Sequence, residues 1–146
     1  MGRGQIIGRY LEEEAIRWAR AQMNLEGPVG NCIAWSMADE DGFIAVFVLS
    51  DINAVSACLH FAARPGARWL TKEFARGIMG LAFDDLHLSR LTGPIRGSNL
   101  RAQQVAGKWG FRYEGALRKA FPNGDDCVLM GLLRQEWKSH KWCDSL

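Results

Sequence analysis

Eight residues constrain this chain more than any others: Phe43 to Ser50, reading FIAVFVLS. A strand with apolar side chains on both faces belongs in the middle of a sheet that is covered on both sides. Its neighbours lie close by in the sequence. Asn31 to Met37 reads as the strand before it, joined across Ala38-Asp39-Glu40-Asp41-Gly42, whose Asp-Gly pair is a hairpin signal. After a turn at Asp51-Ile52-Asn53, Val55 to Ala63 gives a third strand, antiparallel to the second if the turn is tight. A three-strand meander is therefore the expected nucleus.

Helices flank it. Arg9 to Gly27 reads as one helix, with Leu11, Ala15, Trp18 and Met23 as its apolar stripe, acids Glu12 to Glu14 at its start and Gly27-Pro28 as its stop. Leu70 to Asp85 places Leu70, Phe74, Ile78, Leu81 and Ala82 at helical spacing. Gly77 and Gly80 each cost that helix about 1 kcal/mol relative to alanine, and close packing on a sheet is the usual reason to accept them. Arg90 to Ile95 and Cys127 to Leu133 read as further strands, with Ile6-Ile7 as a very short first one. The layout predicts an α+β fold: a mixed, mostly antiparallel sheet of about six strands with helices on both faces. Residues 1–146 read as one domain, with 135–146 as a partly ordered cover or contact surface.

At 146 residues, 48% apolar and 23% charged, the chain can bury a sizeable core and is not disordered. Its net charge of +2 argues against a dedicated nucleic-acid protein. Cys32, Cys58, Cys127 and Cys143 form no CxxC pair, so a local zinc site is not expected and the thiols read as reduced and cytoplasmic. His60, His87 and His140 are too scattered to ligate a metal together. No apolar run approaches the roughly 20 residues of a membrane span.

The most distinctive wording runs from Ser98 to Arg118, SNLRAQQVAGKWGFRYEGALR. Ser98 and Asn99 suit a helix cap, and Leu100, Val105 and Trp109 suggest the buried face of the helix that follows. Gly110 stops that helix, and Phe111 to Leu117 reads as a strand with Phe111, Tyr113 and Leu117 on one face and a bulge at Gly115. Asn99, then Phe111, then Glu114-Gly115 and Arg118 resemble the late motif of the GNAT superfamily of N-acetyltransferases. The wording is most similar to the branch that acetylates protein N-termini, ribosomal proteins included, and to small phage-type relatives, which GARWLTKEF also resembles.

The resemblance implies a GNAT-like fold and acetyl-CoA as cosubstrate, with a primary amine as acceptor on a protein N-terminus, a lysine or a small molecule. No membrane partner is expected from a chain without a long apolar run, and a homodimer stays open. In the family a strand-loop-helix junction binds the cofactor pyrophosphate through free amides. Here that junction is Ala63 to Leu70, so Arg64, Gly66, Ala67, Arg68, Trp69 and Leu70 are the candidates, although RPGAR also suits an ordinary turn. Asn99 matches the family's pantetheine-side asparagine and serves equally as a cap. The family's proton donors to the departing thiolate are missing, since those positions are Ala102 and Ala106. His60 is the candidate general base, having the one side chain of its strand that titrates near neutrality. A histidine between Leu59 and Phe61 also suits simple packing. Glu114 and Asp126 read as substrate-side or structural carboxylates. The competing expectation is a GNAT-shaped module without turnover that grips a protein or nucleic-acid partner.

Overall fold

The computed structural model describes residues 5–23 and 31–143. In chain order the elements are β1 (Ile6–Gly8), α1 (Glu12–Gln22), β2 (Ile33–Asp39), β3 (Gly42–Ser50), β4 (Ser56–Ala63), α2 (Lys72–Gly80), β5 (Arg90–Arg96), α3 (Leu100–Lys108), β6 (Arg112–Leu117), β7 (Cys127–Leu133) and α4 (Arg134–Lys138). Among the described residues the seven strands form one sheet in the order β1-β2-β3-β4-β5-β7-β6. The expected count of about six becomes seven because Ile6–Gly8 pairs with β2. Every pairing is antiparallel except β4–β5, which is parallel.

β3 is buried on both faces, as its composition demands. Val46 and Val48 join Ala34 and Ala62 beneath Ala15, Ile16 and Ala19 of α1. Phe47 and Leu49 point the other way, into a larger core with Phe74 and Ile78 of α2 and with Trp109 at the end of α3. The strand's period of two is what sorts these residues. α1 starts three residues later than its periodicity predicts. Leu11, taken for part of the stripe, is 49% exposed and left-handed at φ 45°, so it turns the chain into the helix. The proposed stop at Gly27-Pro28 lies outside the described residues.

α2 begins at Lys72 rather than Leu70, because Thr71 caps it by accepting the Phe74 amide at 3.1 Å. Its expected last turn, Leu81–Asp85, widens into a π-helical turn closed by the Leu86 amide donating to the Leu81 carbonyl at 3.0 Å. α3 is capped by Asn99, whose Oδ1 accepts the Ala102 amide at 3.1 Å. It buries Ala102 and ends against Trp109, but Leu100 is 64% exposed, since it lies off the stripe that Ala102, Val105 and Trp109 share. At its end the Phe111 amide reaches the Ala106 carbonyl and the Gly110 amide the Gly107 carbonyl, a Schellman motif with Gly110 at φ 98°. In β6 the register shifts between Tyr113 and Gly115, so Glu114 is the extra residue. Tyr113 then pairs with Met130 and Leu117 with Cys127, which puts them on opposite faces, not one, and both are exposed.

Residues 134–143, the described part of the C-terminal segment, pack onto the core. Trp137 is buried, His140 stacks on it, and Trp142 packs edge-on against Trp109. His140 Nε2 bonds the Lys108 carbonyl at 2.9 Å and so carries the proton, while Nδ1 accepts the Trp142 amide at 3.0 Å.

Candidate functional site

The site exists because β4 and β5 stay together for only three residue pairs: Ser56 with Arg90, Ala57 with Leu91, Cys58 with Thr92. Beyond them β5 continues along β7 through Arg96, whereas Leu59 to Ala63 continues along β3. The cleft between them measures about 560 Å3 and is lined from both sheet faces, by His60 and Ala62 on one and by Leu59 and Phe61 on the other. It therefore passes through the plane of the sheet. β4's outer edge here is backbone without a strand partner, a source of N–H and C=O groups for an extended ligand.

On the α2 face the cleft meets the loop 64–71. Gly66 holds φ 76°, which glycine alone adopts without strain, and Gly66 to Leu70 together with Arg101 line a second recess of about 270 Å3. Among the described residues the amides of Arg68, Trp69 and Leu70 have no partner, and they precede α2's own free first-turn donors. The Ala67 amide is different: it closes a turn onto the Arg64 carbonyl at 3.1 Å. Arg64, expected to bind cofactor, is committed elsewhere. Its guanidinium bonds Asp39 at 2.9 and 3.2 Å and the carbonyls of Phe43 and Gly42, bracing the β2–β3 hairpin and lining neither recess. Trp69 is buried with its ring against Phe47 and Phe61, which line the cleft with it.

His60 is half-buried on the α1 face. Its Nε2 lies 3.1 Å from Ser50 Oγ, which lies 3.3 Å from Asp51 Oδ2. One hydroxyl proton satisfies both contacts only if Nε2–H donates to Oγ and Oγ–H donates to the carboxylate. Nδ1 is then the basic nitrogen. Burial pushes the His60 pKa below the ordinary 6.5; Asp51 opposes this and Arg20 reinforces it. The ring is thus neutral at physiological pH and able to accept a proton.

Asn99 lines the cleft while its Oδ1 caps α3. Ala102 and Ala106 face the same space without a proton to give. Of the two carboxylates read as substrate-side or structural, Glu114 pairs with Arg90 at 2.5 Å, and Asp126 Oδ1 accepts the Lys119 amide at 3.0 Å. Sequence reading missed Ser50, Asp51, Arg96, Arg101 and Phe121. For Ser50 the pairing of a third strand against FIAVFVLS was the available signal, because it sets Val48 opposite His60 and brings Ser50 within reach. Among the described residues no group of His, Cys, Asp and Glu could hold a metal ion.

The comparisons with known proteins agree with this geometry. Residues 5–112 match the acetyltransferase (GNAT) domain family. This chain is a GNAT acetyltransferase. Its backbone is similar to that of the spermidine N-acetyltransferase of Vibrio cholerae in several crystal structures. The F149G mutant superposes with a TM-score of 0.76 at 14% identity, covering 92% of this chain and 96% of that one. The complex with CoA and spermine gives 0.71 at 17% identity, over 92% and 98%. A dodecameric form in an intermediate state gives 0.74 at 15%, over 94% and 98%. As a GNAT enzyme this chain uses acetyl-CoA, and its residues suit that molecule. Free amides beside Arg68 and Arg101 are a donor set suited to phosphates, and the cleft that passes through the sheet opens next to them. No helix among the described residues is long and apolar enough to cross a membrane.

Proposed function

We propose that this GNAT enzyme moves the acetyl group of acetyl-CoA to a primary amine, with the cofactor entering from the α2 face and the amine from the α1 face. The through-sheet cleft carries this reading, because it joins the loop of unpaired amides on one face to His60 on the other. The amides of Arg68 to Leu70, with the cations of Arg68 and Arg101, hold the pyrophosphate. Asn99 and the free edge of β4 align the pantetheine arm and the thioester carbonyl. His60 Nδ1 takes one proton from the incoming ammonium. The amine nitrogen then bonds the carbonyl carbon, the C–S bond breaks, and the proton released from nitrogen reaches the thiolate through water, since Ala102 and Ala106 hold none. Alignment supplies much of the rate in such a site. The late motif's likeness to the N-terminal acetylating branch and its phage-type relatives favours an α-amine on a peptide or small molecule, in a reducing, cytoplasmic setting that suits four thiols.

Thermal unfolding with acetyl-CoA and with free CoA tests the reading. At a hundred times the dissociation constant the ligand stabilises the fold by about 2.7 kcal/mol. Arg68→Glu and Arg101→Glu each weaken that shift by placing a negative charge beside the phosphates. An unchanged melting curve at millimolar acetyl-CoA would rule the reading out and favour a module that only grips a partner.

A further inference from the structure

From the charges around the amine side of the cleft we infer that the acceptor carries an anionic group, a carboxylate, and that Arg96 is the residue that holds it. The inference rests on the acetyl-transfer reading above and names the substrate class of that same site.

Sidedness separates Arg96 from the phosphate-binding cations. Cys58 pairs with Thr92, and strands alternate, so Cys58, His60 and Ala62 share a face with Thr92, Pro94 and Arg96. Leu91 and Ile95 take the other face, in the core beneath α2 and α3. Arg96 thus stands on His60's face, about 7 Å beyond the level of His60 along the strand direction. Its guanidinium lies 4.1 Å from the Phe121 ring centroid, and both residues line the cleft. Among the described residues it makes no hydrogen bond or ion pair through its side chain. The carboxylate that feels it, Asp125, is turned to the Ser98 hydroxyl at 2.6 Å and is drawn below its usual range first by that bond, then by Asn123, and last by the charge of Arg96.

A guanidinium laid on an aromatic ring is held in one orientation and is weakly hydrated, so it presents its fork to a carboxylate at little cost in ordering or desolvation. No aspartate or glutamate among the described residues lines the cleft, and Asp125, the carboxylate within reach of Arg96, is turned to Ser98 and Asn123. A polyamine would bring further ammonium groups to a wall that carries the Arg96 cation and no lining carboxylate, the nearby Asp51 being turned to Ser50, an arrangement that disfavours it. Similarity of backbone to a spermidine enzyme therefore does not carry its substrate across.

The test measures CoA release with a ladder of ω-amino acids, from glycine through γ-aminobutyrate to ε-aminocaproate. Each is compared with the alkylamine and the diamine of matching length. At the rung that spans His60 and Arg96, the amino acid exceeds the alkylamine by about tenfold or more in kcat/KM, the size of one charge-assisted contact. The diamine falls below both. Arg96→Gln collapses the amino-acid-to-alkylamine ratio towards one, and Arg96→Lys restores part of it. A ratio near one at every length, a preference for the diamine, or a ratio that survives in Arg96→Gln overturns the proposal. If every rung is silent while acetyl-CoA still raises the melting temperature, the carboxylate proposal falls and the cofactor reading stands; if acetyl-CoA also fails to bind, both fall.

Discussion

His60 Nδ1 is a base because of what its other nitrogen does. With Nε2–H spent on Ser50 and the Ser50 hydroxyl spent on Asp51, the lone pair is fixed on one side of the ring. His60→Gln is expected to keep acetyl-CoA affinity and lower kcat by about two to four powers of ten, the range for losing a general base. In the parent, kcat/KM rises with pH through a midpoint below 6.5, because burial depresses the folded-state value. The variant loses that limb, and a pH–rate series on both proteins checks it. The same shift acts on stability. Between the folded and unfolded pKa the unfolded chain binds more protons, so this contribution is complete above the unfolded value and is lost as pH falls towards the folded one. The sequence singles out His60 as the one side chain of its strand that titrates near neutrality, but not the Ser50 and Asp51 contacts that fix its tautomer. Arg64 was misread there, because a charge next to a glycine loop says nothing about the Asp39 that captures it from a hairpin twenty-five residues away.

Within α2 the two glycines answer to different neighbours. A Cβ on Gly77 would collide with the Trp35 indole of β2, whereas one on Gly80 would meet only the Asp84 carboxylate, at 3.9 Å. Gly77→Ala should destabilise by about 1–3 kcal/mol through overpacking. Gly80→Ala should be neutral or gain up to about 1 kcal/mol from helix propensity. Chemical denaturation of the pair decides it, and equal effects at the two sites would contradict the packing described. Local chemistry made elements readable wherever it was decisive: the Asn99 cap, the Gly110 stop and the Asp-Gly hairpin all stand. It fell short at the start of α2. The apolar period continues back to Leu70, but the Thr71 hydroxyl ends the helix there, and the two residues released become part of the loop 64–71.

Across the molecule, the strand order was the least legible property. Nothing local in Cys127–Leu133 announces that it inserts between β5 and β6, or that β4 and β5 run parallel. Those pairings depend on contacts distant in sequence, and the cleft depends on them. The burial of Trp137 was not legible for the same reason: the charges around it are visible in the sequence, while its pocket is assembled by other elements. Trp137→Ala is expected to cost about 3–5 kcal/mol, the usual loss for emptying a buried aromatic site, and to shift the urea midpoint accordingly. A midpoint within error of the parent's would contradict the burial described.

The short parallel seam also divides one strand into two regimes of solvent exchange. Amides of β4 that donate to β3 sit inside a long antiparallel ladder and open only with the fold as a whole. Beyond Cys58, amides of the same strand that point to the other side meet no neighbouring strand and exchange through solvent in the cleft. Deuterium uptake along Leu59 to Ala63 should therefore alternate between slow and fast from one residue to the next. Acetyl-CoA should slow the fast members and leave the slow ones as they were, so that the pantetheine arm behaves as a missing strand.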